Sequence, residues 1–409
     1  MVNIAVMGHG TVGSGVVDVL FKHREAIAGR AKNEINVKHI LDLREFPELS
    51  YANLFTKDFN VILNDPEVLV VVETMGGINP AYDFVKACLL AGKNVVTSNK
   101  ELVAAKGDEL LQIANDKNVN FLFEASVGGG IPVLRPIAQC LAANDIFEIA
   151  GILNGTTNFI LDKMIKDGES FEDALAEAQR LGYAEKDPTA DVDGFDAARK
   201  ICILASIGFG RHVYPDQVTP EGIRGITLKD ISAAGEFGYV IKLIGRTKLR
   251  SDGKITATVY PALVSKDNIL SGVDGVFNGI MVRGDAIGDV MFYGRGAGKL
   301  PTASAAVADV IDCVKHLSAR KYLFWEPGFD GYVADASEDT VRMMVRAKVV
   351  EPGEAVSEIT SLFGETQVIF ADDRSEVAFF TPFASEKTLF AQLGKLKAVE
   401  VVSSVRIFD

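Results

Sequence analysis

Residues 2–15 of the chain read VNIAVMGHGTVGSG, a short β-rich run followed by a glycine-rich turn and the start of a helical pattern. The turn has the form GxGxxG: Gly8 permits a tight turn, Gly10 lets a pyrophosphate approach the backbone, and Gly13 lets the helix pack closely against the strand. The N-terminus of the following helix, predicted at Ser14–Phe21, would face the phosphates. A strand before the motif and a helix after it predict a dinucleotide-binding α/β domain rather than an ordinary glycine-rich turn.

Strands and helices continue to alternate after this motif. We predict further strands at Ile35–Leu41, Val68–Glu73, Asn94–Thr97 and Asn120–Phe123. Ligands bind beyond the carboxyl ends of parallel strands, so the residues that follow each strand are candidate site residues. Asp42 would accept the 2′-hydroxyl of NAD, whereas Arg44 would bind the 2′-phosphate of NADP, and the sequence leaves both cofactors open. Lys100 either faces the cofactor and substrate or is a solvated residue at a helix start.

Composition limits the class of protein. The chain has 409 residues, 48% hydrophobic and 24% charged, with a net charge of −13. This length predicts two or three globular domains, and the acidic balance argues against a nucleic-acid or anionic-membrane partner. No apolar run approaches the roughly 18 residues of a membrane span, and no signal sequence begins the chain. We therefore expect a cytoplasmic protein that binds small molecules.

The cysteines indicate neither a disulfide framework nor a zinc site. They are widely spaced and lie in apolar helical patterns, which predicts core residues in a reducing compartment. The four positions are Cys88, Cys140, Cys202 and Cys313.

The most polar stretch, residues 182–200, reads GYAEKDPTADVDGFDAARK and predicts the active site. Pro188 places its first part on a loop, and a helix is expected from about Phe195 onward. Helical spacing brings Asp196 and Lys200 to one face. Such a pair is often a solvated surface feature, but here the helix continues as a buried apolar segment. Burying charges where a polar loop meets a buried helix costs free energy, so charges gathered there indicate a functional site.

Two further segments carry polar ligand groups. Residues 124–132 read EASVGGGIP, where three glycines leave carbonyl oxygens accessible beside the carboxylate of Glu124, a setting suited to a hard cation. A predicted strand at Ile149–Asn154 leads into Gly155, Thr156, Thr157 and Asn158, which suit either a polar ligand or a helix cap.

From about Asp339 the glycine motifs end and a βαββαβ order is predicted. The expected elements are strands at Val341–Val349, Gln367–Ala371, Glu376–Thr381 and Glu400–Phe408, a helix ending at Phe363 and a helix at Glu386–Leu396. This pattern resembles a ferredoxin-like ACT domain, a module that often binds amino acids at dimer interfaces. A purely structural role in dimerisation is the alternative.

The combined motifs resemble those of homoserine dehydrogenase. The matching segments are the glycine motif, residues 73–77 (ETMGG), 98–100 (SNK), 124–128 (EASVG), 154–158 (NGTTN), 182–185 (GYAE), 196–200 (DAARK), 294–298 (GRGAG) and Pro301-Thr302. The resemblance implies a Rossmann domain over residues 1–130, completed by 294–325, an inserted α/β substrate and dimerisation domain over 131–293, and the ACT-like domain over 339–409. It also implies reversible NAD(P)-linked interconversion of L-homoserine and L-aspartate 4-semialdehyde, in threonine, methionine and isoleucine biosynthesis.

The resemblance carries site residues over position by position. Lys200 would be the proton donor and acceptor, with Lys100 near cofactor and substrate. The implied substrate residues are Gly182, Glu185, Asp191 and Asp196; the implied cofactor residues are Gly8, Gly10, Thr11, Val12, Gly13, Thr74, Lys100 and Gly298. A sodium ion would be held by the Glu124 carboxylate and the carbonyls of Val127, Gly129 and Ile131. A homodimer or homotetramer is expected, with threonine as an amino-acid effector. Ser98, where the family usually has alanine, and the region around Asp42 depart from its pattern.

The chemistry of alcohol oxidation also points to a lysine as the base, independently of the family resemblance. Oxidising an alcohol needs a group that takes the hydroxyl proton while hydride leaves carbon. His9 lies in the cofactor turn and the other histidines lie outside the motifs, which leaves lysine, activated by burial or by a second lysine. A nucleotide sensor without catalysis would not need this cluster. An acyl-forming semialdehyde dehydrogenase would need an activated cysteine, which the sequence does not offer.

Overall fold

The computed structural model describes residues 1–319 and 321–408. The chain forms two compact units. The first contains Met1–Ile149, Arg199–Gln217 and Ile280–Asp330, and the second contains Ala150–Ala198, Val218–Gly279 and Gly331–Asp409. The three-domain division expected from the sequence stays a prediction.

The strands are, in chain order, β1 Val2–Met7, β2 Ile35–Leu41, β3 Phe55–Thr56, β4 Val68–Glu73, β5 Asn94–Thr97, β6 Phe121–Leu122, β7 Ile146–Ile152, β8 Tyr239–Leu249, β9 Ile255–Ser265, β10 Phe277–Gly284, β11 Gly288–Arg295, β12 Thr340–Val341, β13 Met343–Val349, β14 Val368–Phe370, β15 Glu376–Phe380, β16 Ala384–Ser385 and β17 Val399–Phe408.

The α-helices are α1 Thr11–Lys22, α2 Arg24–Ala31, α3 Phe59–Leu63, α4 Ala81–Leu90, α5 Lys100–Asp116, α6 Gly155–Asp167, α7 Phe171–Arg180, α8 Thr189–Val192, α9 Phe195–Phe209, α10 Leu228–Glu236, α11 Lys299–Lys315, α12 Ala355–Phe363 and α13 Glu386–Leu393.

The first unit is built on a six-stranded sheet of order β3-β2-β1-β4-β5-β6, in which every neighbouring pair is parallel. The order reverses between β1 and β4, so their carboxyl ends open a crevice at the switch point of a doubly wound fold. Runs such as VLVVVE in β4 suit strands buried on both faces. The predicted Rossmann-type fold is confirmed, with β3 as an additional short edge strand.

Helix α11 lies far from α1 in the sequence, but it belongs to the same unit and packs on α1. Ala303, Ala306 and Val310 of α11 are buried in the same core as Val16 and Val17 of α1. Gly15 makes this approach possible, because a Cβ there would lie 2.9 Å from the Lys299 carbonyl oxygen. Helix α11 therefore belongs to the core of the first unit.

In the second unit, β8 and β9 form a long antiparallel pair, and β17 lies parallel to β9. The C-terminal segment continues this sheet in the order β17-β13-β15-β14, with α12 and α13 packed on it around Phe379. The elements β13, α12, β14, β15, α13 and β17 give the predicted βαββαβ order. The interpretation of this segment as an ACT-like module stays a prediction.

Two local expectations were wrong. Asp191 lies on the one-turn helix α8 rather than on a loop, because Pro188 precedes the helix, where its missing N–H costs nothing. The Pro188 carbonyl accepts from Asp191 N at 2.9 Å. Cys140 is exposed, at the end of a five-residue π-helix, whereas the other three cysteines are buried.

Within the described part of the chain, no helix combines the length and the apolar character needed to cross a membrane.

Candidate active site

The turn between β1 and α1 is built to receive a pyrophosphate. A Cβ on Gly13 would lie 1.9 Å from the Gly8 carbonyl oxygen, so only glycine fits there. The Thr74 hydroxyl donates to the carbonyls of Met7 (3.1 Å) and Gly8 (2.9 Å) and ties β4 to the turn. Gly10, the N-cap of α1, gives no side-chain cap, so the first-turn amides of the helix point to the place where phosphate would bind. The residues present therefore fit a dinucleotide.

A buried glutamate that sequence reasoning left without a role shapes the next loop. Glu73, fully buried at the end of β4, accepts hydrogen bonds from Met75 N at 2.6 Å, from Gly76 N at 3.3 Å and from the Thr97 hydroxyl at 2.5 Å. Burial raises the pKa of Glu73, and these hydrogen bonds oppose that effect. Asn99 donates to the Gly77 carbonyl at 2.6 Å, so β4 and β5 end in one hydrogen-bonded network.

At the end of β2, Asp42 and Arg44 engage one another. The carboxylate accepts from Arg44 Nε at 3.0 Å and Nη2 at 2.9 Å, and also from His9 N at 2.8 Å. The hydrogen bond from Arg44 is the main cause that lowers the pKa of Asp42. Both residues line a cavity of about 230 Å³ together with Phe46, Phe55 and their neighbours in the chain.

The two candidate lysines lie on two different helices, and both lysines belong to the first unit. Lys100 begins α5, whose N-cap Asn99 accepts from Leu102 N. Lys200 lies on α9 and is 7% exposed. An ion pair joins their sequence neighbours, with Arg199 Nη1 3.0 Å from Glu101 Oε1. Within the first unit, the ion pair therefore holds the segment of α9 that carries Lys200 close to the start of α5.

In the second unit, one amide group brings two predicted substrate residues together. Asn154 Nδ2 donates to Asp191 Oδ1 at 2.7 Å and to Asp196 Oδ2 at 2.9 Å. Asp196 is 3% exposed, and Asp191 is partly buried. The sequence interpreted residues 154–158 as a polar ligand site or a helix cap, but it did not reveal that Asn154 bridges the two aspartates.

Gly182 and Glu185 lie in the exposed turn after α7. The Thr156 hydroxyl donates to the Tyr183 carbonyl at 2.7 Å, and Gln179 Nε2 donates to the Glu185 carbonyl at 3.0 Å. The backbone of this turn is therefore fixed, while the Glu185 side chain is exposed. A fixed backbone with an exposed carboxylate suits recognition of a ligand.

The glycine loop is held by buried charges. The Glu124 carboxylate accepts three backbone amides, from Val133 at 2.6 Å, Leu134 at 2.8 Å and Arg135 at 2.8 Å. Asp309 of α11 accepts from Glu124 N at 2.8 Å and pairs with the Arg135 guanidinium. Burial is the main cause that raises the pKa of Asp309 to about 8, and Arg135 opposes it.

The carbonyl oxygens of Val127, Gly129 and Ile131 accept no hydrogen bond from the part of the chain that the structure describes, although all three residues are buried. Buried carbonyls without partners fit a hard cation. The Glu124 carboxylate is a poorer ligand for a cation, because its oxygens already accept hydrogen bonds from three backbone amides. Across residues 1–319 and 321–408, no group of three or more His, Cys, Asp or Glu side chains could hold a metal ion.

Gly298, the last predicted cofactor residue, is the N-cap of α11 with φ +125°, which favours glycine. The neighbouring loop packs against the glycine loop, since a Cβ on Gly129 would lie 2.5 Å from the Gly296 carbonyl oxygen. Gly298 therefore lies beside both the α1 region and the candidate cation loop.

Family comparisons agree with this geometry. A model described as the NAD binding domain of homoserine dehydrogenase matches residues 8–124, and one described as homoserine dehydrogenase matches residues 132–311. The homoserine dehydrogenase of Bacillus subtilis is 38% identical over 420 residues, covering 99% of this chain and 97% of that protein. The chain belongs to the homoserine dehydrogenase family.

Solved members of the homoserine dehydrogenase family have the same fold. The structure from Thiobacillus denitrificans matches with a TM-score of 0.91 at 36% identity, covering 100% of this chain and 98% of that one. A hyperthermophilic archaeal homoserine dehydrogenase mutant, solved in complex with NADPH, matches with a TM-score of 0.66 at 28% identity, covering 79% of this chain and 99% of that one.

Membership of the homoserine dehydrogenase family confirms the predicted enzyme class, an NAD(P)-dependent oxidoreductase of amino-acid biosynthesis. The reaction predicted from the sequence, interconversion of L-homoserine and L-aspartate 4-semialdehyde by hydride transfer, is the reaction of this family. A nucleotide sensor and an acyl-forming dehydrogenase are thereby excluded. The burial of Cys88 also argues against an acyl-forming enzyme that uses this cysteine, because it raises the pKa of Cys88 to about 12 and so disfavours a thiolate nucleophile.

Proposed function

We propose that Lys200 is the proton acceptor for the homoserine hydroxyl and that Lys100 assists it. The observation that carries this proposal is the burial of Lys200, 7% exposed, together with the 3.0 Å ion pair of its neighbour Arg199 to Glu101. Burial disfavours the charged form of a lysine, so a buried lysine gives up its own proton more readily than an exposed one and is then free to accept the hydroxyl proton. When bound, NAD(P)⁺ supplies the hydride acceptor. In homoserine oxidation Lys200 removes the hydroxyl proton, and in the reverse reaction it returns that proton.

Substrate recognition is proposed for Gly182, Glu185, Asp191 and Asp196. Homoserine carries an ammonium group and a hydroxyl group, and carboxylates accept hydrogen bonds from both. The exposed Glu185 side chain and the amide-linked aspartates support this assignment. The fixed turn at Gly182 would hold Glu185 in place before substrate arrives, which lowers the entropic cost of binding.

For the cofactor, we propose contacts at Gly8, Gly10, Thr11, Val12, Gly13, Thr74, Lys100 and Gly298, with NADP preferred. The Asp42 carboxylate already receives His9 N and the Arg44 side chain, so it is a poor acceptor for a ribose hydroxyl. The Arg44 side chain is 62% exposed at the same place. A phosphate dianion can recruit such a guanidinium in bidentate fashion.

A sodium ion is proposed at the carbonyls of Val127, Gly129 and Ile131, with Glu124 shaping the loop through its three amides and contributing any remaining lone pair. Sodium accepts neutral carbonyl ligands, so the site does not need a full carboxylate.

We further propose that the enzyme is a cytoplasmic homodimer or homotetramer. Threonine would regulate it by binding to the C-terminal module. The turn at Pro352-Gly353 precedes α12, whose N-cap Glu354 provides no side-chain cap. The first helical amide, Ala355 N, already donates to the Glu351 carbonyl at 3.1 Å, so a ligand carboxylate would meet the amides that follow it. Glu351 and Glu354 flank the turn, and their negative charges disfavour binding of an anion there. Inhibition of the intact enzyme by millimolar L-threonine tests this assignment, and indifference to threonine favours a structural role in assembly.

The deciding experiment for the catalytic proposal measures reduction of NADP⁺ and NAD⁺ with L-homoserine by the intact chain and by Lys200→Met. We expect homoserine-dependent reduction in the intact chain and its near-loss in the variant. Equal activity in both would remove Lys200 from the reaction.

A further inference from the structure

A buried carboxylate lies where three central strands of the first unit end. Glu73 is the last residue of β4 and is fully buried. In the register of the parallel sheet it stands beside Met7 of β1 on one side and Thr97 of β5 on the other. The strand order reverses between β1 and β4, so Glu73 lies at the switch point of the fold, where doubly wound proteins bind their ligands.

One oxygen of this carboxylate holds the loop that follows β4. Glu73 Oε1 accepts hydrogen bonds from Met75 N at 2.6 Å and from Gly76 N at 3.3 Å. Met75 in turn packs on the cofactor turn, because a Cβ on Gly8 would lie 3.1 Å from the nitrogen and the Cα of Met75. Glu73 therefore fixes the loop that borders the proposed pyrophosphate site.

The other oxygen is linked to the start of α5. Glu73 Oε2 accepts from the Thr97 hydroxyl at 2.5 Å, and the oxygen of that hydroxyl accepts from Asn99 N at 2.9 Å. Asn99 is the N-cap of α5, where its Oδ1 accepts from Leu102 N at 3.1 Å. Lys100 is the first residue of this helix. A chain of hydrogen bonds thus leads from Glu73 to the helix start that carries Lys100.

The direction of these hydrogen bonds follows from the groups that make them. A backbone N–H can only donate, so the Thr97 oxygen accepts from Asn99 and the Thr97 proton goes to the Glu73 carboxylate. Burying a carboxylate costs free energy, and ionisable groups placed in this way concentrate at functional sites. The burial of Glu73 at the switch point therefore indicates a task in the site.

We propose that Glu73 is a positioning residue which, through the Thr97 hydroxyl, aligns the helix start that bears Lys100 with the loop beside the cofactor turn. The inference rests on the proposed role of Lys100 near cofactor and substrate. It extends to the helix of the proposed base, because Glu101, on the same first turn of α5, forms the 3.0 Å ion pair with Arg199 of α9. Glu73 acts through these groups and need not touch substrate or cofactor.

Two variants of Thr97 separate positioning from packing. Thr97→Val keeps the shape of the side chain but removes the hydroxyl that joins Glu73 to Asn99, whereas Thr97→Ser keeps the hydroxyl and loses one methyl group. At saturating homoserine and NADP⁺, we expect kcat to fall roughly 10- to 100-fold in Thr97→Val, the effect of a small misplacement of a reacting group. In Thr97→Ser, kcat should stay within about threefold of wild type. Near-normal kcat in Thr97→Val overturns the inference.

Asn94→Ala is the matched control, at the opposite end of β5. Asn94 is also buried; its Oδ1 accepts from Asn120 N at 2.9 Å, and its Nδ2 donates to the Leu69 carbonyl at 3.1 Å. Both Asn94→Ala and Thr97→Val remove buried hydrogen bonds of the same strand, so both should lower the melting temperature. Only Thr97→Val should lower kcat. An equal loss of kcat in Asn94→Ala would mean that any weakening of β5 suffices, and would overturn the inference.

A double-mutant cycle tests the link between Glu73 and Thr97. Glu73→Gln keeps one oxygen for the two loop amides, but its amide nitrogen cannot accept the Thr97 proton. If Glu73 acts through Thr97, adding Thr97→Val to Glu73→Gln should lower kcat by less than about a further threefold. If the two effects multiply, the residues act separately and the inference is overturned.

Hydrogen exchange in the cofactor-free protein gives a readout that does not depend on turnover. The amides of Leu102 and Val103 donate to Asn99 Oδ1 and to the Asn99 carbonyl. Thr97→Val should speed the exchange of these two amides at least about tenfold and leave that of Lys117 N, at the other end of α5, unchanged. Equal acceleration at both ends would mean general loosening of the helix and would count against the inference.

The inference and the proposed function fail in different ways. Unchanged kcat in Lys100→Met would remove Lys100 from the reaction and, with it, the basis of the inference. A lowered kcat in Lys100→Met together with an unchanged kcat in Thr97→Val would overturn the positioning role of Glu73 alone and leave the proposed function standing.

Discussion

Arg199 and Glu101 form an ion pair, with Nη1 3.0 Å from Oε1, that joins the second turn of α9 to the first turn of α5. The two side chains are 31% and 33% exposed, so the pair contributes little to stability. Its importance is geometric, because each partner is the sequence neighbour of a candidate catalytic lysine, Lys200 or Lys100. Residues 100 positions apart in the chain are thereby brought to one side of the nucleotide-binding unit.

Replacing the proposed base tests its role. We expect Lys200→Met to lower turnover by roughly two to four orders of magnitude, the usual worth of general acid–base catalysis, with cofactor binding unchanged. Lys93→Met is a matched control: Lys93 is 5% exposed and donates to the carbonyls of Asp65 and Val68, away from the candidate site. Steady-state kinetics and nucleotide titration measure both. Near-normal turnover in Lys200→Met would rule out the assignment.

Glu185 is expected to act in substrate binding rather than in chemistry. We predict that Glu185→Gln raises the KM for homoserine with little change in kcat, because a carboxylate that binds the ammonium or hydroxyl serves ground and transition states alike. Glu172→Gln, an exposed carboxylate on the neighbouring helix α7, is the control. An unchanged KM would remove Glu185 from the site.

Cofactor preference depends on the end of β2. We expect Arg44→Ala to raise the KM for NADP⁺ roughly tenfold or more while the KM for NAD⁺ stays the same or falls, since only the phosphate gains a charge-assisted hydrogen bond. Arg30→Ala removes the same charge from an exposed position on α2 and should change neither. If both variants shift the two KM values equally, the effect is one of overall charge.

A buried ion-pair network predicts pH-dependent stability. Asp230, fully buried on α10, accepts from Arg346 Nε at 2.9 Å and from Ser403. Burial alone would raise the pKa of Asp230, but these hydrogen bonds outweigh it and lower the pKa. A carboxyl whose pKa is lowered by folding stabilises the protein above its unfolded pKa of about 4, and this stabilisation is lost as pH falls.

We therefore expect Asp230→Asn to lower the free energy of unfolding by about 3 kcal/mol at pH 7, because Arg346 loses its charge partner in a buried site. The difference from wild type should shrink below about pH 4. Denaturant unfolding at pH 7 and at about pH 2 to 3, below the unfolded pKa of a carboxyl, measures both values. A difference independent of pH would mean that packing, not charge, is responsible.

Deleting residues 340–409 is expected to destabilise the remaining chain. The deletion removes β17, which pairs with β9 at Arg406–Ala262 and the next two positions, and it leaves Asp230 without Arg346. Thermal unfolding of the shortened chain should show a markedly lower midpoint. A midpoint equal to that of the intact protein would show that the C-terminal module folds as an independent attachment.

The sequence by itself determined most strands of the nucleotide-binding unit, but it predicted none of β8 to β11. β2, β4 and β5 begin and end at the predicted residues, because their continuous Val- and Ile-rich runs are local signals. The C-terminal βαββαβ order was likewise predictable, with boundary shifts of a few residues. Gly8 and Gly13 were identifiable because each meets a local steric need: Gly8 has φ +93°, and a Cβ on Gly13 would lie 1.9 Å from the Gly8 carbonyl oxygen.

The tertiary structure alone decided which distant side chains meet. No sequence pattern gives the bridge from Asn154 to Asp191 and Asp196, the pairing of Arg199 with Glu101, or the capture of Glu124 by three amides, since these depend on how separate segments pack. Cys140 has an apolar helical context in the sequence, yet it is exposed because its short helix ends at the surface. Local patterns specify backbone elements, whereas burial and long-range hydrogen bonds exist only once those elements are packed together.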